Sequence, residues 1–105
     1  AKNGSAYLAG AEPLTFENTE QTFPELIARV QKTIEFVSSF TPARIDGSEE
    51  KEVSIKRGES MVTYKGQEYL LNRVLPNFFF HITTAYDILR HNGVVLGKKD
   101  YLGNH

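Results

Sequence analysis

A mainly helical fold is what this sequence predicts, with two long amphipathic helices and a small β-hairpin between them. Three observations carry that expectation. In the run GQEYLLNRVLPNFFFHITTAYDILRHN, residues 66 to 92, apolar side chains recur every three or four positions at Leu71, Val74, Phe78, Ile82, Ala85 and Leu89. At ~100° per residue they fall in one stripe along a helix. Phe23, Leu26, Ile27, Val30, Ile34 and Val37 repeat the pattern earlier in the chain. Between the two helices, Glu52–Lys56 and Met61–Tyr64 alternate apolar and polar residues around Gly58, the mark of paired strands.

The 105 residues suit a single domain. Twelve basic and thirteen acidic residues leave a net charge of −1, so no basic stripe suggests nucleic acid or an anionic membrane surface. No apolar run approaches the ~18 residues of a spanning helix. The chain has no cysteine, which excludes disulfides, thiolate metal sites and a cysteine nucleophile. The opening AKNGSAYLAG lacks the basic-then-apolar plan of a signal peptide, and a soluble, cytoplasmic protein is the expectation.

The elements follow in order. AKNGSAYL reads as the tail of a helix stopped by Gly10. A chain that begins inside a helix points to an absent upstream segment; removal of an initiator methionine before Ala1 is the plainer alternative. Residues 9–21 form an extended connector. Thr22-Phe23-Pro24-Glu25 is a capping box that opens the second helix, with Glu25 and Arg29 placed for an outward (i, i+4) pair. Thr41-Pro42 closes that helix after about eighteen residues, because a residue before proline is driven from the α region. Residues 43–51 are a polar loop, and the hairpin should lay Val53, Ile55, Val62 and Tyr64 against the helices. In the long helix Pro76 deprives the Asn72 carbonyl of its donor, so a kink is expected there. The alternative is a break between helices at 67–74 and 77–92, but the stripe keeps its phase across Pro76. Gly93 supplies the left-handed stop, and the hydrophobic residues of the tail should lie back over the helices.

The C-terminal third carries a resemblance. Leu75-Pro76-Asn77-Phe78-Phe79-Phe80-His81-Ile82-Thr83-Thr84-Ala85-Tyr86, then Ile88–Val94, Leu96-Gly97-Lys98 and Asp100–Gly103, closely resembles the C-terminal signature of an uncharacterised microbial family related to the DinB/YfiT-like proteins. Leu8-Ala9-Gly10, Glu12-Pro13, Glu20, Thr22-Phe23, Glu25-Leu26, Arg29, Thr33 and Asp46–Glu49 also look like that family. The resemblance implies two further N-terminal helices, so that this chain is the C-terminal part of a longer domain and half of a DinB-like four-helix bundle. Many DinB-like relatives bind a divalent metal, zinc or nickel, through three histidines, two of them in an H-x-x-x-H on the last helix. Some are thiol S-transferases, isomerases or hydrolase-like enzymes. The resemblance places His81 at the second histidine of that motif and Asn77 at the first, and puts the remaining ligand outside this chain.

His81 is thus the candidate metal ligand. On the residues alone, an imidazole at the edge of the stripe can bind metal, act as a general base, or simply hydrogen-bond a carbonyl or threonine. Asn77 is a poor transition-metal ligand and a better hydrogen-bond partner. His91 belongs to the helix C-terminus, and His105 is terminal. Phe80 lies nearly opposite the stripe, and Phe79 and Tyr86 share a flank, so Asn77, Phe79, Phe80 and Tyr86 are candidate pocket or interface residues. Thr83-Thr84 reads as threonines bonding back along the helix. Lys98-Lys99-Asp100 reads as ion pairs holding the tail. Two functions follow: a diverged bundle without a strong metal site, binding a small molecule or assembling as a homodimer or with the missing helices; or a metal-dependent enzyme with His81 as one ligand.

Overall fold

The computed structural model describes residues 1–103, which are mainly helical with one two-stranded antiparallel sheet. His105 lies outside the described residues. The chain divides into two compact units, Ala1–Val74 and Leu75 onward. No helix among the described residues is long and apolar enough to cross a membrane.

The first unit begins with α1, Lys2–Leu8. Gly10 ends it at φ +69°. Its amide donates to Tyr7 O at 3.2 Å and that of Ala11 to Ala6 O at 2.8 Å, the two bonds of a Schellman stop. After the connector, α2 runs Phe23–Ser38 behind the predicted capping box. The Thr22 amide donates to Glu25 Oε2 at 2.9 Å, and the Glu25 amide to Thr22 Oγ1 at 3.4 Å. The same carboxylate also receives the Gln21 amide at 2.8 Å. Glu25 is therefore spent on the cap. The expected Glu25–Arg29 pair does not form; Arg29 turns back to Glu20 at 2.9 Å and Asn18 at 3.0 Å.

These bonds, the Gln21 amide first, hold the Glu25 carboxyl below its ordinary range. A depressed folded value means that the stabilisation is complete above the ordinary glutamate range and fades as pH falls through the depressed one. Glu25→Gln should therefore lower the melting temperature at neutral pH and flatten its acid limb, read by circular dichroism from pH 7 to 2. An unchanged limb would show that the cap contributes nothing.

α2 ends three residues before Thr41, where the Ser39 hydroxyl donates to Phe36 O at 2.6 Å. Thr41-Pro42 then opens a helical turn, α3 (Pro42–Ile45), in place of the expected irregular loop. Proline at a first helical position carries the correct φ and lacks only an amide that would be unpaired anyway.

β1 (Glu52–Arg57) pairs with β2 (Ser60–Lys65) from Glu52↔Lys65 to Arg57↔Ser60 without a bulge. Gly58 has φ +62°, and among the described residues only glycines have positive φ, so Gly58-Glu59 makes a type II′ turn. Leu8, Val53 and Tyr69 form the core of this unit, with Tyr7, Ile45, Ile55, Tyr64, Leu70 and Val74 around them. Val62, expected in that set, stays at its margin and only half-buried.

Helical backbone runs without interruption from Gly66 to His91. It consists of α4 (Gly66–Tyr69), a π-helical segment (Leu70–Val74) and α5 (Leu75–His91). The helical backbone passes through residues 74–77 without a gap, so the break considered for Pro76 is not found. The wide π turn lies just before Pro76, where an α turn would press the proline ring onto the Asn72 carbonyl.

In the second unit α5 stops at Gly93, φ +88°. The amides of Gly93 and Val94 donate to Arg90 O and Leu89 O, each at 3.1 Å, in a second Schellman motif. α6 (Lys98–Leu102) follows, and Asp100 Oδ2 accepts the Gly97 amide at 2.8 Å. Asp100 therefore caps a helix; neither Lys98 nor Lys99 joins a recorded ion pair among the described residues. Val95, expected to fold back, is 98% exposed.

Candidate functional site

The sequence-derived candidates sit on α5, which has no buried side chain among the described residues. The stripe from Leu71 to Leu89 was expected to be covered, yet Leu71, Ile82 and Leu89 are all exposed. A helix with apolar spacing and no cover is an inner surface turned outward.

His81 is exposed and lies edge-on to Phe80, with ring centroids 5.3 Å apart. Asn77, one turn earlier, is exposed too. Phe79 packs edge-to-face on Phe78 at 5.5 Å. Tyr86 is the one candidate that is partly covered. Its ring meets Tyr101 of α6 edge-to-face at 5.8 Å, and its hydroxyl accepts from Arg90 Nη1 at 3.0 Å. Thr83 does not bond back along the helix as expected; its hydroxyl lies 3.1 Å from the Tyr101 hydroxyl. Tyr101 thus anchors the tail to α5 through Thr83 and Tyr86. Nothing in the spacing of the sequence singled it out. His91 closes α5 without a recorded side-chain bond, while the Asn92 amide serves the Ile88 carbonyl at 2.7 Å.

A metal site needs three or four suitable donors converging on a point. Among the described residues no group of three His, Cys, Asp or Glu side chains converges, and His81 has only an amide one turn away. The described residues do not by themselves complete a divalent-cation site. A lone exposed imidazole can hydrogen-bond a ligand or exchange a proton, with aromatic surface beside it.

The first unit holds a second polar feature that sequence reading missed. A shallow hollow of about 220 Å³ is lined by Phe16, Glu20, Arg29 and Lys32, among others. Two cations share the Phe16 ring, Lys2 Nζ at 5.1 Å from its centroid and Arg29 Cζ at 4.8 Å. Burial, and then the Arg29 charge, push the Lys2 ammonium below its ordinary value. The Glu20 carboxyl is held low by its own backbone amide and, further, by Arg29. These residues tie the connector to α1 and α2. Arg29 and Lys32 share a helical face, but Lys2, Phe16 and Glu20 stand at no helical or strand period from them, and their convergence depends on where the connector returns.

Comparison with known proteins matches this geometry to a described family. The model of a domain of unknown function, DUF1993, matches residues 1–102. A crystal structure of a DinB family member protein from Shewanella denitrificans superposes with a TM-score of 0.90 at 37% sequence identity, covering 100% of this chain and 60% of that one. The chain thus spans 60% of the length of that relative. No curated protein matches. With all but its last three residues inside the family model and a DinB-like fold, the chain belongs to the DUF1993 family.

Proposed function

We propose that this chain is a diverged DinB-like helical-bundle module that works by binding a small molecule or by assembling through its apolar helix faces, without a tight metal site of its own. One observation carries this reading: α2 and α5 each keep the spacing of a bundle helix, and neither buries a residue. On α2, Phe23 is 80% exposed and Ile34 58%; on α5, Phe80 is 63% exposed. Burying one phenylalanine is worth ~2 kcal/mol, so uncovered faces of this kind give up a large part of a marginal stability. Extended apolar surface usually marks an interface. The longer DinB family relative leaves length for further helices that would cover these faces. For the chain purified by itself, a second copy in a two-fold dimer is the cover that needs no other component. The Phe79–Phe80 side of α5, with Asn77 and Tyr86 near it, is then interface or pocket wall.

The test is sedimentation equilibrium at micromolar concentration with metal analysis of the same sample. Self-association is expected, weakened about tenfold by Phe80→Glu. Zinc and nickel are expected well below one per chain. A stable, well-folded monomer sinks the assembly reading. Near-stoichiometric metal lost on His81→Ala would instead favour a metal-dependent enzyme of DinB type.

A further inference from the structure

We infer that the outer edge of β1 is a second, independent self-recognition surface, on which two copies pair antiparallel about Ser54 into a four-stranded sheet ordered β2-β1-β1-β2. The inference rests on the hairpin alone and not on the apolar faces of α2 and α5.

Hydrogen-bond parity comes first. A two-residue turn makes its flanking pair, Arg57↔Ser60, a hydrogen-bonded one. Pairs then alternate, so Ile55↔Val62 and Val53↔Tyr64 are also hydrogen-bonded, while Lys56, Ser54 and Glu52 aim their amides and carbonyls away from β2. The sheet has two strands, and none of those outward groups has a recorded backbone partner among the described residues. β1 has neither proline nor bulge, and its charged residues Glu52 and Lys56 stand two positions to either side of Ser54.

Symmetry and side chains select the register. A two-fold axis through Ser54 sets Ser54 opposite its own copy and Glu52 opposite Lys56, twice. All three are positions whose backbone groups point outward, so each becomes a hydrogen-bonded pair of the new ladder. The pairs Glu52–Lys56 match opposite charges on the exposed face. On the other face Val53 meets Ile55, extending the side that already packs on the core. β2 offers no such match. A two-fold axis through Thr63 would set Lys65 opposite Met61, and one through Val62 would set Ser60 opposite Tyr64. The geometry therefore favours β1, and a second copy of this chain as its occupant.

The chain has no cysteine, so single thiols can be placed at will. Ser54→Cys puts two thiols on neighbouring strands across the axis. Thr63→Cys, on the same face one strand out, keeps them three strand spacings apart, about 14 Å. With a short bismaleimide at micromolar protein, Ser54→Cys should give covalent dimer and Thr63→Cys only background. Adding Lys56→Glu to Ser54→Cys sets a carboxylate at position 56 against the Glu52 carboxylate of the second copy and should cut the yield about tenfold. Lys56 faces Met61 within the hairpin, so the hairpin's own pairing is not charged by this change. Adding Glu52→Gln as well removes the opposed carboxylate without setting a lysine against Lys65 in the hairpin, and should restore part of the yield. Circular dichroism melts confirm that each variant is folded. Equal yields at positions 54 and 63, a yield indifferent to Lys56→Glu, or no covalent dimer at all would each overturn the inference. Because the cross-link reports position 54 only, association through the helix faces neither produces nor masks the result.

Discussion

Gly66→Ala is expected to cost the first unit about 3 kcal/mol or more. A Cβ built on Gly66 would lie 1.8 Å from the Ser48 carbonyl oxygen, which is backbone and cannot swing aside as a side chain can. That carbonyl is held by the Lys51 amide at 3.1 Å. The Gly66 amide donates to Lys51 O at 2.8 Å, and the Gln67 amide to Glu49 O at 3.0 Å. Making room for one methyl therefore means tearing the 48–51 loop from the start of α4. Gly4→Ala is the informative contrast. Its added Cβ meets Val74 Cγ1 at 2.5 Å, a side chain rather than backbone, so the loss should be smaller, though valine in a helix has little rotamer freedom with which to yield. Urea unfolding followed by far-ultraviolet circular dichroism ranks the two. If Gly66→Ala proved the milder variant, the loop would be softer than its hydrogen bonds imply.

Tyr69→Ala should remove about 3 kcal/mol, the usual cost of truncating a buried aromatic residue. Tyr69 is 6% exposed and joins the helical stretch to the rest of the core. Its ring meets Tyr7 at 6.1 Å, nearly perpendicular, and Tyr64 at 6.0 Å. Burial, followed by the neighbouring Tyr7, raises its hydroxyl above the ordinary tyrosine value. That hydroxyl has no hydrogen-bond partner among the described residues, so Tyr69→Phe should change stability by only ~0.5 kcal/mol. A large loss on Tyr69→Phe would locate the contribution in the hydroxyl and contradict a packing role.

How far the sequence could be read depended on whether local signals decided the outcome. The Thr22 capping box, the Gly58 hairpin and the glycine stops at Gly10 and Gly93 depend on neighbours within five positions, and each formed where the residues placed it. Arg29 went astray because the cap claimed Glu25, a competition that pair spacing alone does not show. The long stripe went astray for a geometric reason. Continuous α periodicity puts Leu71 in line with Val74 and Phe78, but a π turn adds a residue and rotates the helix face by roughly 100°. Tyr69, Leu70 and Val74 turned inward instead, and Leu71 is left exposed. At the candidate site, His81, Phe79 and Phe80 could be placed on α5 from spacing. The contact of Tyr101 with Thr83 and Tyr86 could not, because it depends on where the tail returns.

The position of α1 in the core has a consequence for the order in which a ribosome delivers the chain. Ala6 and Leu8 are buried, yet Val53 and Tyr69, which complete the cluster around Leu8, emerge from the exit tunnel only after the connector and α2 have been made. Synthesis runs from the N-terminus at ~5–20 residues per second. Tyr69 lies 61 positions beyond Leu8, so α1 waits several seconds for its partner. Through that interval Leu8 is without the two core residues, Val53 and Tyr69, that complete its cluster in the folded unit.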